Sequence, residues 1–222
     1  MSQTQIITEM GNEKNLKIKN ILEFESIYNN LGWSLLGYKK TLNMFKEIEE
    51  IKTLNGNTAE IGVFEGKTSK FIHILFPDRI HYAYDTYCGI QGSDNNIDFH
   101  KDGEFACSLD EVKQHINMDN VIYKVGFFPD TFNESDQTFV FVHSDTDTYI
   151  GTKTTLEKFA PLIVSGGKIM FDDYQWHNCQ GVEKAVLEFL KDNNDFTCKV
   201  YNNNYHHDRD NSSINQCVLT KI

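Results

Sequence analysis

Between residues 21 and 52, apolar side chains recur at intervals of three and four: Ile21, Leu22, Phe24 and Ile27, then Leu35, Leu36, Leu42, Phe45, Ile48 and Ile51. That period predicts two helices, interrupted around Asn29, Asn30 and Gly32. Beyond the NGN turn at 55–57 the pattern becomes an alternation of short apolar runs and amphipathic stretches. The runs AEIGVF (59–64), HYAYDTY (81–87), VIYKVG (121–126), QTFVFVHSD (137–145) and, after an SGG turn, KIMFDD (168–173) read as strands. TSKFIHILF (68–76), FACSLDEVKQHI (105–116), IGTKTTLEKFAPLI (150–163) and GVEKAVLEFLKDN (181–193) read as the helices between and after them. In the last of these, Val182, Ala185, Val186, Phe189 and Leu190 form one stripe. FTCKVY and INQCVLT read as a closing strand pair around the polar loop NNNYHHDRDNSS.

The first, fourth and fifth strands are apolar almost throughout, as strands are when helices cover both faces of a sheet. The expected fold is therefore α/β, a doubly wound Rossmann-like sheet ending in a strand pair. Residues 1–20 read as polar and loose. The chain divides into a helical extension over 1–55, covering an acceptor or contacting another copy, and an α/β domain over 56–222. In such sheets ligands gather at the carboxyl ends of the strands. The aperiodic stretch CGIQGSDNNIDFHKDG (88–103) leaves from that edge and is expected to form a lid or a wall there.

Charge and composition narrow the field. A formal net charge of −11 with no Lys/Arg cluster argues against a nucleic-acid partner. No run approaches the length of a membrane span, and MSQTQIITEM lacks the basic and apolar regions of a secretory signal. The five cysteines are odd in number and lack a CxxC pair, which reads as reduced thiols of a cytoplasmic protein.

The first strand and its turn carry ExGxxxG: Glu60, Gly62 and Gly66, with Val63 in the turn and Thr68 and Ser69 opening the next helix. Glycines let a backbone approach a ligand, and the free N–H groups of a helix start suit an anionic group. The spacing is neither the GxGxxG of pyrophosphate binders nor a GxxxxGKS loop. Asp85, followed by Thr86, ends the second strand, where an acid can hold ribose hydroxyls. Gly126 and Phe127, after the third strand, could border an adenine. Together these residues point to a nucleoside ligand without an essential pyrophosphate, S-adenosylmethionine rather than NAD, with its ammonium near Glu60. An ordinary tight turn and a turn-capping Asp85 are the structural alternatives.

Asp145 and Asp147 follow the fourth strand, and Asp172 and Asp173 end the fifth. If those strands are neighbours, four carboxylates converge and repel unless a cation intervenes. Mg2+ is the expected cation, with Asp145, Asp172 and Asp173 as ligands and Asp147 as the general base for a hydroxyl. His143 reads as a packed or supporting histidine. His206 and His207 read as solvated loop residues with a possible acceptor contact. Helix capping and solvent exposure of the acids are the alternative.

EIGVFEGKTS, YAYDTYCGI, FVHSDTDTYIGTKTTLEKFAPLIVSGGKIMFDDY and GVEKAVLEF resemble the macrocin O-methyltransferase family over about residues 57–192. These are class I, metal-dependent sugar O-methyltransferases. The resemblance implies a seven-stranded sheet of order 3-2-1-4-5-7-6 with the last strand antiparallel. It implies Mg2+ on Asp145, Asp172 and Asp173, Asp147 as base, and cofactor contacts at Glu60, Gly62 and Asp85. It also implies homodimers or larger assemblies and a small-molecule or saccharide acceptor. Ser144 and the SGG turn depart mildly from the family pattern, and LGWSLLGYKK matches no acceptor-covering segment. An acceptor other than an antibiotic sugar is therefore open, nucleotide-linked or polysaccharide sugars included. A catechol methyltransferase and a non-catalytic nucleoside-binding protein are the competing expectations.

Overall fold

Apolar runs of five or six residues become the central strands, and each amphipathic stretch packs its apolar stripe onto them. The computed structural model describes residues 6–9, 18–32, 35–201 and 215–222. Its strands are β1 (Ile6–Glu9), β2 (Asn57–Ile61), β3 (His81–Asp85), β4 (Val121–Val125), β5 (Phe139–Ser144), β6 (Ile163–Asp172), β7 (Phe196–Tyr201) and β8 (Gln216–Lys221). Its helices are α1 (Ile18–Leu31), α2 (Gly37–Ile51), α3 (Lys67–Leu75), α4 (Leu109–Ile116), α5 (Tyr149–Phe159) and α6 (Gln180–Asp192). One sheet runs β1-β7-β8-β6-β5-β2-β3-β4, and only the pairings of β8 are antiparallel. From β4 to β7 this is the expected seven-stranded order.

Three expectations need correction. Residues 6–9, read as loose, add an eighth strand, parallel to β7 at the sheet's outer edge. The SGG segment is not a turn before a strand but lies inside β6, with Gly166 at φ +77° and a register shift against β5 between Phe139 and Phe141. The helix expected from 105 begins at 109, because Ser108 and Glu111 form a capping box that sets its start. The polar loop with His206 and His207 lies outside the described residues.

Both faces of the sheet are covered. Val142, Phe139 and Phe171 pack with Leu156, Phe159, Val182 and Val186 of α5 and α6. Phe141, Met170 and Val218 pack on the other face with Phe45 and Ile48 of α2 and Phe71 of α3. Helix α2 is thus part of the core. It is also tied to the sheet by charge: buried Glu47 pairs with Lys168 and with Lys199 at 3.0 Å, and accepts from the Tyr201 hydroxyl.

His81 is fully buried, its two ring nitrogens in hydrogen bonds with the hydroxyls of Thr58 at 2.9 Å and Ser69 at 3.0 Å. Burial, reinforced by His73 and His143, depresses its pKa to about 3. A depressed histidine stays neutral in the fold but takes up a proton on unfolding below its ordinary value. Stability is therefore expected to fall as pH drops from about 6.5 toward 3, by up to about 1.4 kcal/mol per pH unit from this group. Urea melts at stepped pH check this: a His81→Gln protein should show a shallower acid slope.

Candidate active site

The carboxyl ends of β2, β3, β5 and β6 open into one cavity of about 300 Å³. Its floor depends on Gly62, at φ +83°, where a Cβ would stand 2.0 Å from the carbonyl oxygen of Asp145. Gly62 N–H donates to Tyr84 O at 3.0 Å, and Asp145 N–H to Ile61 O at 2.8 Å. The glycine therefore lets the tips of β2 and β5 close together. Asp85 organises the turn above: its Oδ2 accepts from the Val63 and Phe64 N–H groups at 2.7 and 3.0 Å, and its Oδ1 from Tyr87 N–H at 2.7 Å. Gly62, Val63, Thr68, Asp85, Thr86, Gly126 and Phe127 all line the cavity.

Three of the expected cofactor residues have other surroundings. Gly66 caps α3 at φ +81°, and a Cβ there would press on Val112 and Ile116, so its place is the packing of α3 against α4. Ser69 is buried and donates to Glu60. Glu60 reaches the cavity wall but is only 1% exposed, with His143 Nδ1 at 2.9 Å on its other oxygen. His143 lies between the carboxylates of Glu60 and Asp172. Burial opposes its charge, but Asp172 and Glu60 on either side raise its pKa to about 10.

The four aspartates divide. Carboxylate oxygens of Asp145, Asp147 and Asp173 lie within 4.8 Å of one another. Asp147 and Asp173 reach that point from left-handed backbone, φ +57° and +55°, a conformation costly for residues with a side chain. Burial, with the charges of Asp172 and Asp173, pushes Asp145 up to about 8, and burial with Asp145 and Asp173 pushes Asp147 well up. Asp172 is turned elsewhere. It accepts from Gln216 Nε2–H at 2.6 Å and lies at ion-pair distance from His143 Nε2, 3.4 Å, and Lys40 Nζ, 3.3 Å. Against burial, Lys40 and His143 hold its carboxyl below the usual range. The acids that converge are thus two of the three expected ligands, Asp145 and Asp173, joined by the expected base. Their hard oxygen donors and mutual repulsion suit a magnesium-like cation.

Residues 88–103 wall the cavity rather than trailing from it. Asp98 accepts from Tyr149 N–H at 3.0 Å, Phe99 N–H donates to Asn178 O at 3.3 Å, and His100 lines the cavity with Phe105 and Trp176. Lys40, also in the lining, was missed by sequence reasoning. Its signal was there: it shares a helical face with Met44, Glu47, Ile48 and Ile51, and a charge on an apolar stripe needs a buried partner.

Sheet order, the ExGxxxG turn and an acid at the end of β3 are together those of a class I S-adenosylmethionine-dependent methyltransferase. The family model for macrocin O-methyltransferases (TylF) matches residues 18–202, and the chain belongs to that family. Demethyldecarbamoylnovobiocin O-methyltransferase of Streptomyces niveus is 24% identical over 177 residues, spanning 70% of this chain and 67% of that protein. The structure of the O-methyltransferase NovP superposes with a TM-score of 0.63 at 23% identity, covering 85% of this chain and 81% of the other. CalS11, a calicheamicin methyltransferase, gives 0.58 at 16% identity over 81% of this chain and 90% of its own. Its apo form is described as a TDP-rhamnose 3'-O-methyltransferase. Among the described residues no helix is long and apolar enough to cross a membrane.

Proposed function

We propose that the protein transfers the methyl group of S-adenosylmethionine to a hydroxyl of a sugar, carried on a nucleotide, a polysaccharide or a natural product. The observation that carries this is the meeting of Asp145, Asp147 and Asp173 in the same cavity as the Gly62 turn and Asp85. The kinship to CalS11, whose described substrate is a nucleotide-linked rhamnose, supports a sugar acceptor. The cofactor's ribose would lie by Asp85 and its methionine end by Thr68, at the start of α3. Adenine would lie by Gly126 and Phe127.

Asp147 acts as the base. Its proton affinity, raised by burial and by two neighbouring carboxylates, suits removal of a hydroxyl proton. The acceptor oxygen then bonds to the methyl carbon as the carbon–sulfur bond breaks, its electron pair staying on sulfur. A magnesium ion held by Asp145 and Asp173 would acidify and orient that hydroxyl when bound. The wall of His100, Phe105 and Trp176 excludes water and presents an aromatic surface to the acceptor. Much of the acceleration comes from holding oxygen and methyl carbon in line.

The same aromatic wall favours, as second reading, a flat catechol-like acceptor. Incubation with S-adenosylmethionine and a panel of nucleotide sugars, sugar-bearing natural products, polysaccharide fragments and catechols separates the two. A mass gain of one methylene unit on a sugar is the expected result. Methylation of catechols alone would move the assignment to the second reading.

A further inference from the structure

The side chain of Lys40 comes from α2, outside the α/β alternation that supplies most of the cavity, and is only 5% exposed. Its Nζ stands 2.7 Å from Asp173 Oδ1 and 3.3 Å from Asp172 Oδ2. One turn further along α2, Asn43 Nδ2–H donates at 3.0 Å to Gln216 Oε1, and Gln216 Nε2–H donates at 2.6 Å to Asp172. Helix α2 thus addresses the tip of β6 twice, directly through charge and indirectly through an amide relay. A long flexible amine is fixed in this way only if the pairing outweighs the cost of burying it.

We propose that Lys40 is the resident cation of the acidic cluster: its ammonium neutralises Asp172 and Asp173 from inside the fold, and it competes with a divalent ion for Asp173. The geometry assigns the two cations different, overlapping sets of partners. Lys40 pairs with Asp172 and Asp173, whereas the carboxylate oxygens of Asp145, Asp147 and Asp173 lie within 4.8 Å of one another. Asp173 is the shared member. A divalent ion therefore binds against a fixed positive charge, which weakens its hold and keeps it exchangeable, and Asp172 can join it only by giving up Lys40. Lys40 is on this account a positioning residue, acting on the acceptor through the carboxylates. The inference rests on reading these acids as the methyl-transfer site, but its test needs neither methyl donor nor acceptor.

The test is metal binding and melting of chelator-treated protein. In Lys40→Met the acids lose their internal counter-ion. Metal-free protein should then melt about 10 °C lower, and saturating Mg2+ should restore most of that loss while moving the wild type little. Mn2+, followed by its electron paramagnetic resonance, should bind Lys40→Met about tenfold or more tightly than wild type, because a nearby positive charge has gone. Lys40→Arg, which keeps the charge, should stay near wild type. Unchanged or weaker Mn2+ binding by Lys40→Met, with no recovery by Mg2+, overturns the proposal and leaves Lys40 a merely structural pair. Should Lys40→Met be insoluble, wild-type protein labelled with 15N-lysine decides. Sub-stoichiometric Mn2+ should broaden the Lys40 ammonium resonance, identified by its absence from Lys40→Arg, and an unaffected signal overturns the proposal. Failure of methyl transfer in the acceptor panel leaves all of these readouts intact, so the two ideas fail separately.

Discussion

Gly62→Ala is expected to destabilise the protein by about 3–5 kcal/mol and to abolish measurable S-adenosylmethionine binding. Two independent costs add. The backbone at residue 62 sits at φ +83°, where a Cβ is disfavoured. The new methyl would also stand 2.0 Å from Asp145 O and 2.8 Å from Asp145 C, both main-chain atoms that no rotamer change can move. Relief requires parting the tips of β2 and β5, which breaks the 2.8 Å bond from Asp145 N–H to Ile61 O and displaces the first turn. Chemical denaturation and a cofactor titration measure the two effects. Gly32 makes a fair control: it also has positive φ, but a Cβ there meets nothing within 4 Å. Its replacement should cost only the backbone term. A Gly62→Ala protein that binds cofactor normally would mean that the closeness of these strand tips is not what shapes the site.

Asp147→Asn should lower turnover by about 10²–10⁴-fold while leaving cofactor affinity near that of the wild type. The amide keeps the shape of the carboxylate but cannot accept the hydroxyl proton. The same change should make the protein more stable in the absence of divalent ions. Burial, Asp145 and Asp173 raise the proton affinity of Asp147, so its ionised form is disfavoured in the fold. A raised carboxyl contributes stability at low pH that is lost as pH climbs above its ordinary value, and the neutral amide never loses it. Lower activity together with a higher melting temperature at neutral pH is the signature of a site that trades stability for function. Normal turnover by this variant would remove Asp147 as base without touching the family assignment.

Much of the fold was legible because its signals are local. Phe139–Ser144 is buried at every position and reads as a central strand from its composition alone. The stripe of α6 and the change of period after residue 55 are equally local. Edge strand β1 was not legible, since its partner β7 lies some 190 residues further on and nothing in MSQTQIITEM announces the pairing. Gly166 misled for a physical reason: its positive φ marks a bend, but the ladder resumes beyond it, so a turn signature sits within a strand. The boundary after residue 55 hides the structural role of α2, whose Phe45 and Ile48 pack against Phe141 and Met170 of the sheet. The extension over 1–55 as acceptor cover or dimer contact remains a proposal.

By itself the sequence determined the fold class, the glycine turn after the first interior strand, and the delivery of two acid pairs to one edge of the sheet. Alternation in strands, periodicity in helices and the carboxyl-end rule for parallel sheets are properties of neighbouring residues, so one chain displays them without its partners. Only the tertiary structure decided which acids meet. Asp172 and Asp173 are adjacent in sequence, yet one faces His143 and Gln216 while the other, through its left-handed backbone, joins Asp145 and Asp147. The ammonium that both of them share arrives from 133 residues before Asp173. Direction at a strand tip is set by a single backbone dihedral and by whatever packs over it, and neither leaves a mark in the pattern of apolar and polar positions.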